Sequence, residues 1–348
     1  MISICMIVKN AEALLPHCLR PLLVLGYEIV IVDTGSTDKT KHLASKYTDK
    51  VYDYVWQKDF SAARNYSISK ASNEYVLVID SDEIVDYIDR DELERLIRDN
   101  PDGIGRLVIK DNFTREGETF HVRTRLGRLF SKDLYRYKGK IHEQLIPIED
   151  MESHFYNIPI EVEHKGYDGS LEERKQKTNR NIKLLLNQLE EEGNDPYVLY
   201  QLGKSYYMQE DYLEACQWFA KALYFDLDPR LEYVQDMVES YGYALINSQQ
   251  YETAMQLLGV YDEFAVTADF VYLMGLIYMN NARFTEAIGE FVKATNMKQY
   301  KMDGVNSYRA YYNIGVIYEC LGSVDKARIY YSKCGNYEPG LARISSMK

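Results

Sequence analysis

Apolar and polar positions alternate in blocks along the first half of the chain. Ile2 to Val8 is a short apolar run rich in β-branched residues, and it stops at Lys9-Asn10. Leu14, Leu15, Cys18, Leu19, Leu22 and Leu23 then recur at helical spacing. A second apolar run, Glu28 to Val32, is followed directly by Asp33. The pattern continues with a helix over 37–47, a strand over 51–55, a helix over 60–71 and a strand over 75–79 that again ends in acids. Strands alternating with helices predict an α/β fold, a mostly parallel sheet with helices on both faces. Ligands of such sheets sit beyond the carboxyl ends of the strands. Lys9-Asn10, Asp33 and Asp80-Ser81-Asp82 all fall at those ends, so three polar clusters converge on one edge.

From Ile104 to about Glu163 the pattern turns irregular. Strand-like pieces (Gly105 to Asp111, Phe120 to Arg125, Arg128 to Ser131) mix with charged loops. Helical periodicity begins near Leu171 and runs to the end.

The helical half repeats itself. Gly203, Gly242, Gly275 and Gly315 are each followed twelve residues later by Ala215, Ala254, Ala287 and Ala327. Four residues beyond each alanine stands Phe219, Leu258, Phe291 or Tyr331, and three beyond each glycine stands Tyr206, Leu245, Tyr278 or Tyr318. The chain turns polar seven residues after each glycine. This resembles the tetratricopeptide repeat, a helix-turn-helix unit of about 34 residues. Small residues let the two helices approach, and large ones fill the gap between units. The glycine spacings are 39, 33 and 40, so two linkers exceed the family norm. A plain helical bundle is the alternative, and four in-register matches count against it. The expected division is 1–170 for the α/β domain, 171–195 for a helical linker and 196–348 for an all-α repeat solenoid.

Composition narrows the function. Hydrophobic residues make up 46%, enough for a large core. The formal net charge is −12, which argues against nucleic acid as a partner, since that binding rests on dense Lys and Arg. Five cysteines without a CxxC pair argue against a disulfide framework or structural zinc and fit a reducing, cytoplasmic setting. No signal peptide and no membrane span are expected, because no basic stretch precedes a long apolar core and no apolar run reaches about 18 residues.

Asp80-Ser81-Asp82 follows Val76-Leu77-Val78-Ile79. Hard carboxylate oxygens suit a divalent cation on a diphosphate. Two acids one residue apart at a strand end can divide the work, one toward a ribose and one toward the metal. Alone, such a motif is also what a solvated turn with a helix cap looks like. Its context is Ser3-Ile4-Cys5-Met6-Ile7-Val8-Lys9-Asn10, then Ile29-Val30-Ile31-Val32-Asp33-Thr34-Gly35-Ser36-Thr37-Asp38, then Phe60-Ser61-Ala62-Ala63-Arg64-Asn65. These segments, in this order over roughly residues 1–170, resemble glycosyltransferase family 2, the inverting GT-A fold. Ala11 departs from the pattern, in which Glu often follows Lys-Asn, although Glu12 stands next to it.

The resemblance implies roles. Lys9, Asn10, Asp33, Ser36, Arg64, Asp80, Ser81 and Lys165 would hold a UDP-sugar donor. Asp33 would bond the uracil or ribose and Asp80 the ribose. Arg64 would brace the nucleotide sugar, an ion pair on a helix surface being its alternative use. Asp82 and His164 would bind the metal, Mn2+ or Mg2+, although His164 is equally read as a structural histidine. Tyr137-Lys138-Gly139-Lys140-Ile141-His142-Glu143 resembles the segment that supplies an acid beside the acceptor, which makes Glu143 the expected catalytic base, against a plain surface role. Arg125 and Arg128 would line the same cleft.

A family 2 domain followed by tetratricopeptide repeats resembles bacterial peptide and protein glycosyltransferases, of the sublancin S-glycosyltransferase and flagellin glycosyltransferase kinds. The expected reaction moves GlcNAc or glucose to Ser, Thr or Cys of a protein or peptide, flagellin among them, with the repeats holding part of the acceptor. A lipopolysaccharide-core or other glycan acceptor is the close variant. A scaffold whose first domain has lost activity is the reading of another class. Stacked repeats can also build a homodimer.

Overall fold

The structure is a computed structural model that describes residues 2–115, 118–165 and 171–347. The chain forms two compact units, Met1–Gln176 and Lys177–Lys348. The division falls inside a helix rather than at residue 170.

The first unit is built on β1 (Ile2–Val8), α1 (Leu15–Leu23), β2 (Glu28–Asp33), α2 (Thr40–Ala44), β3 (Val51–Asp53), α3 (Phe60–Ser69) and β4 (Tyr75–Val78). Then come β5 (Glu83–Ile88), α4 (Arg90–Asp99), β6 (Ile104–Arg115), β7 (Glu118–Ser131), β8 (Tyr135–Lys138), β9 (Gln144–Pro147) and β10 (Phe155–His164). Eight strands make one sheet in the order β3-β2-β1-β4-β7-β6-β10-β5, and β8 and β9 pair separately. The β3-β2-β1-β4 half is parallel. β7 enters antiparallel between β4 and β6, β10 runs parallel to β6, and β5 closes the edge antiparallel to β10. The carboxyl ends of β1, β2, β4, β6 and β10 therefore share an edge with the start of β5.

Alternation along the strands divides the core. Ile2, Ile4, Met6 and Val8 of β1 pack with Leu15, Leu19 and Leu22 of α1, Ala44 of α2 and Leu93 and Ile97 of α4. Cys5, Val30, Val76 and Val78 point the other way, to Ile68, Ala71, Phe130, Tyr135 and Tyr137. Each large side chain so buried contributes about 1.5–3 kcal/mol, and helices do cover both faces. The Asp59 carboxylate accepts the Ala62 N–H at 2.9 Å and fixes the start of α3.

Several elements differ from the sequence pattern. α2 keeps only five residues, and its start is fixed late in the segment, where Asp38 Oδ1 accepts the Thr40 N–H at 2.9 Å and Thr40 Oγ1 accepts the Ala11 N–H at 2.7 Å. β7 runs unbroken through Leu126-Gly127. β5 and α4 had no place in the pattern at all.

The second unit starts in α5 (Leu171–Glu192) and continues as helix pairs. α6 (Pro196–Met208) and α7 (Tyr212–Leu223) form the first, and α8 (Glu232–Asn247) opens the second. Its return helix is broken into α9 (Tyr251–Ala254), a 3-10 turn over Met255–Val260 and α10 (Tyr261–Phe264). α11 (Ala268–Asn280) pairs with α12 (Phe284–Thr295), α13 (Tyr308–Cys320) with α14 (Val324–Ser332), and α15 (Glu338–Ser346) follows. The four positions seven residues after the glycines, Glu210, Gln249, Ala282 and Gly322, all have positive φ and lie two residues past the first helix of each pair, where the chain turns. The glycines themselves are contact points. A Cβ at Gly203, Gly275 or Gly315 would stand 2.5–2.6 Å from the ring of Phe219, Phe291 or Tyr331. In the second pair the neighbours of Gly242 are instead Leu257 and Leu273, the latter on α11.

Candidate active site

The loops after β1 and β2 are stitched to each other. The Asn10 N–H donates to Ser36 Oγ at 2.9 Å, and Asn10 Oδ1 accepts the Thr37 N–H at 2.8 Å. Glu12 and Asp38 exchange similar bonds, Lys39 N–H to Glu12 Oε2 at 2.9 Å and Glu12 N–H to Asp38 Oδ2 at 3.2 Å. Asn10 and Ser36 thus spend these groups on loop structure, while Lys9 is exposed. Asp33 is 4% exposed. Its Oδ1 accepts the N–H groups of Gly35 and Ser36 at 2.9 and 2.8 Å. Its Oδ2 is buried with no partner among the described residues, an acceptor kept at a cost.

A charged hub lies at the end of β4. Arg64 of α3 forks onto Asp80, Nη1 to Oδ1 at 2.7 Å and Nη2 to Oδ2 at 3.0 Å, and its Nε donates to Glu143 Oε1. Arg128 of β7 donates from Nη2 to Asp80 Oδ2 and to Glu83 Oε1, both at 3.0 Å. Burial works against all these charges. For Asp80 the two guanidinium groups outweigh it and hold the carboxyl well below the usual range. For Arg64, Asp80 and Glu143 outweigh it and hold the cation protonated. For Glu83 burial wins and pushes the carboxyl up, with Arg128 opposing. The guanidinium expected to grip the donor is therefore engaged on three nitrogens by protein carboxylates.

Glu143 reaches the hub through a shaped loop. Asn65 brackets Tyr137, Nδ2 to its carbonyl at 2.8 Å and Oδ1 to its N–H at 2.9 Å. The Phe60 N–H donates to the Lys140 carbonyl at 2.9 Å. Gly139 takes φ 108° and His142 φ 49°, so the chain reverses before the acid. Burial pushes the His142 imidazole toward the neutral form against the pull of Glu143, and its Nε2 is buried without a partner among the described residues.

Asp82, which lies between the hub acids Asp80 and Glu83 in sequence, comes together with His164. His164 Nε2 lies 3.4 Å from Asp82 Oδ2, and its Nδ1 is 2.8 Å from Asp111 Oδ1. The Lys165 N–H donates to the Asp82 carbonyl at 2.8 Å, and the Lys165 ammonium pairs with Glu163. Ser81 is half-buried in the turn. Gly166 and Tyr167, which follow Lys165, lie outside the described residues. Burial disfavours a charged His164, yet the carboxylates on both sides push it up to about 10. Among the described residues no group of three or more His, Cys, Asp or Glu forms a metal cage. The pair nevertheless suits a divalent cation whose other ligands are diphosphate oxygens. Asp82 and His164 remain partly open, 29% and 23% exposed, and Asp111 orients the imidazole as the partners of metal-bound histidines do.

The structure thus joins Arg64, Asp80 and Glu143 in one network and Asp82 with His164 in a second. Glu83, Asp111 and Tyr137 were not singled out in the sequence. Glu83 carries a signal, an acid directly after the motif. Asp111 carries none, since it meets His164 only through the β6–β10 ladder.

Both units resemble known proteins in sequence. Residues 3–153 match the description "Glycosyl transferase family 2", and residues 196–229 and 308–339 match "Tetratricopeptide repeat". A TPR repeat-containing protein of Synechococcus elongatus is 29% identical over 231 residues, 64% of this chain and 56% of that one. The SPbeta prophage-derived glycosyltransferase SunS of Bacillus subtilis is 27% identical over 223 residues, 62% and 52%. The chain spans about half the length of the curated relatives it matches. Among solved structures, MamA aligns with a TM-score of 0.40 at 24% identity, over 50% of this chain and 98% of that one. No helix among the described residues is long and apolar enough to cross a membrane. The chain carries a glycosyl transferase family 2 domain, the α/β unit that holds the charged hub, followed by tetratricopeptide repeats.

Proposed function

We propose that the chain is an inverting, divalent-metal-dependent glycosyltransferase that moves GlcNAc or glucose from a UDP-sugar to Ser, Thr or Cys of a protein or peptide. One observation carries this reading. Asp82 and His164, 82 residues apart in sequence, stand 3.4 Å from each other at the strand ends, beside a buried acid–arginine network. Asp82 and His164 would hold Mn2+ or Mg2+, which would neutralise the diphosphate as it leaves. Asp33 offers Oδ2 to an N–H or O–H of the nucleoside. A carboxylate has about four acceptor positions, and guanidinium N–H groups use three of those on Asp80, leaving one for a ribose hydroxyl.

In a direct displacement the acceptor oxygen or sulfur forms its bond to the anomeric carbon as the carbon–phosphate oxygen bond breaks. The acceptor proton goes to a base, here Glu143, and the nucleoside diphosphate leaves with the electron pair. Arg64 engages one oxygen of Glu143 and leaves the other for the proton. The repeats would hold part of the acceptor, as stacked helix pairs do for extended chains. Flagellin is one such acceptor class, a lipopolysaccharide-core glycan the variant, and a homodimer a further use of the repeats.

The test is UDP-sugar hydrolysis and transfer with Mn2+ present, read by mass spectrometry of candidate acceptors. Asp82→Ala should abolish both. Equal background rates in wild type and Asp82→Ala would remove the enzyme reading and leave the repeat scaffold. Glu143→Gln should bind UDP and fail in transfer, and unchanged transfer would move the base elsewhere.

A further inference from the structure

Arg128 and Glu83 sit in the hub without a part in the chemistry above. They are 6% and 3% exposed. With them, Asp80 is held at every polar atom. Arg128 Nη2 bridges Asp80 Oδ2 and Glu83 Oε1. Glu83 Oε2 accepts the Asp80 N–H at 2.9 Å, and the Glu83 N–H donates to the Asp80 carbonyl at 3.0 Å. Cys18 Sγ donates to the same carbonyl at 3.4 Å. Glu83 also lies opposite His164 in the β5–β10 ladder. One side chain thus grips Asp80 and begins the strand that sets the place of His164.

Stability does not explain this pair. A buried ion pair is often matched or exceeded in stability by apolar residues of the same volume. Arg128 also keeps its Nε buried without a partner among the described residues, which adds a desolvation cost. What apolar residues cannot supply is direction.

We propose that Arg128 and Glu83 are positioning residues for the nucleotide-sugar site, fixing the Asp80-Ser81-Asp82 turn so that Asp80 and Asp82 face the donor together. This rests on the transferase reading. Neither residue touches the reacting atoms.

The experiment compares wild type, Arg128→Lys, the double variant Arg128→Met with Glu83→Leu, and Asp82→Ala. It measures UDP binding by calorimetry with Mn2+, donor KM and kcat, and thermal melting. The double variant should melt at or above the wild-type temperature, yet bind UDP roughly tenfold or more weakly, the scale of losses when a supporting contact is removed. Arg128→Lys keeps the charge but not the bridge, and should lose UDP affinity and raise donor KM with its melting intact. If both variants bind UDP within about twofold of wild type, the proposal is overturned. Should the double variant not fold, Arg128→Lys decides alone. Wild type that does not bind UDP, or Asp82→Ala that acts like wild type, would sink the transferase reading and this inference with it. Loss in Asp82→Ala alone would sink only the positioning role.

Discussion

Asp80 shows how a motif and its surroundings assign different work to one residue. Its place after an apolar strand implies a ribose contact, but two arginines, from α3 and from β7, claim most of its carboxylate. The acids at strand ends were legible because apolar runs stop at them. The arginine partners were not, since 16 and 48 residues separate Arg64 and Arg128 from Asp80 and no periodicity encodes such pairs. Glu28, at the start of β2, gives a cleaner residue-scale test. Burial raises its carboxyl, but Lys50, Ser3 and Ser72 outweigh that and bring it down to about 2 from an ordinary 4.5. Its folded value is depressed, so its contribution is full above 4.5 and fades as pH falls toward 2. Glu28→Gln should therefore cost roughly 1–2 kcal/mol at pH 7 and nothing near pH 2, by denaturant melts at both pH values.

At the scale of elements, β1, β2 and β4 were legible because central parallel strands are apolar on both faces. β5 was hidden, since Glu83-Ile84-Val85-Asp86-Tyr87-Ile88 follows directly on the acidic motif and mixes charge with apolar residues, as an edge strand does. The helix pairs were legible through their glycines, though not the broken return helix of the second pair. Gly275 and Gly289 separate contact from propensity. A Cβ at Gly275 would meet Phe291 at 2.6 Å, while nothing lies within 4 Å at Gly289 inside α12. Gly275→Ala should destabilise by about 1–3 kcal/mol, and Gly289→Ala should stabilise by about 0.5–1 kcal/mol. Thermal melting of the two variants checks both signs.

The whole molecule has two units, each with a core of its own. UDP with Mn2+ at a hundredfold excess over Kd should add about 2.7 kcal/mol to the unit it binds. Hydrogen exchange should then slow across β1, β2, β4 and α3 and stay unchanged across α6 to α14. Equal slowing in both would mean that the units open as one. The glycine–aromatic contacts bear on how the second unit was assembled over generations. Gly203 with Phe219, Gly275 with Phe291 and Gly315 with Tyr331 each lie inside a single helix pair. A gene segment encoding one such pair carries both halves of its contact when it is copied or lost. Gly242 meets Leu257 of its own pair and Leu273 of the next, so a gene segment encoding the second pair alone would carry only part of that contact.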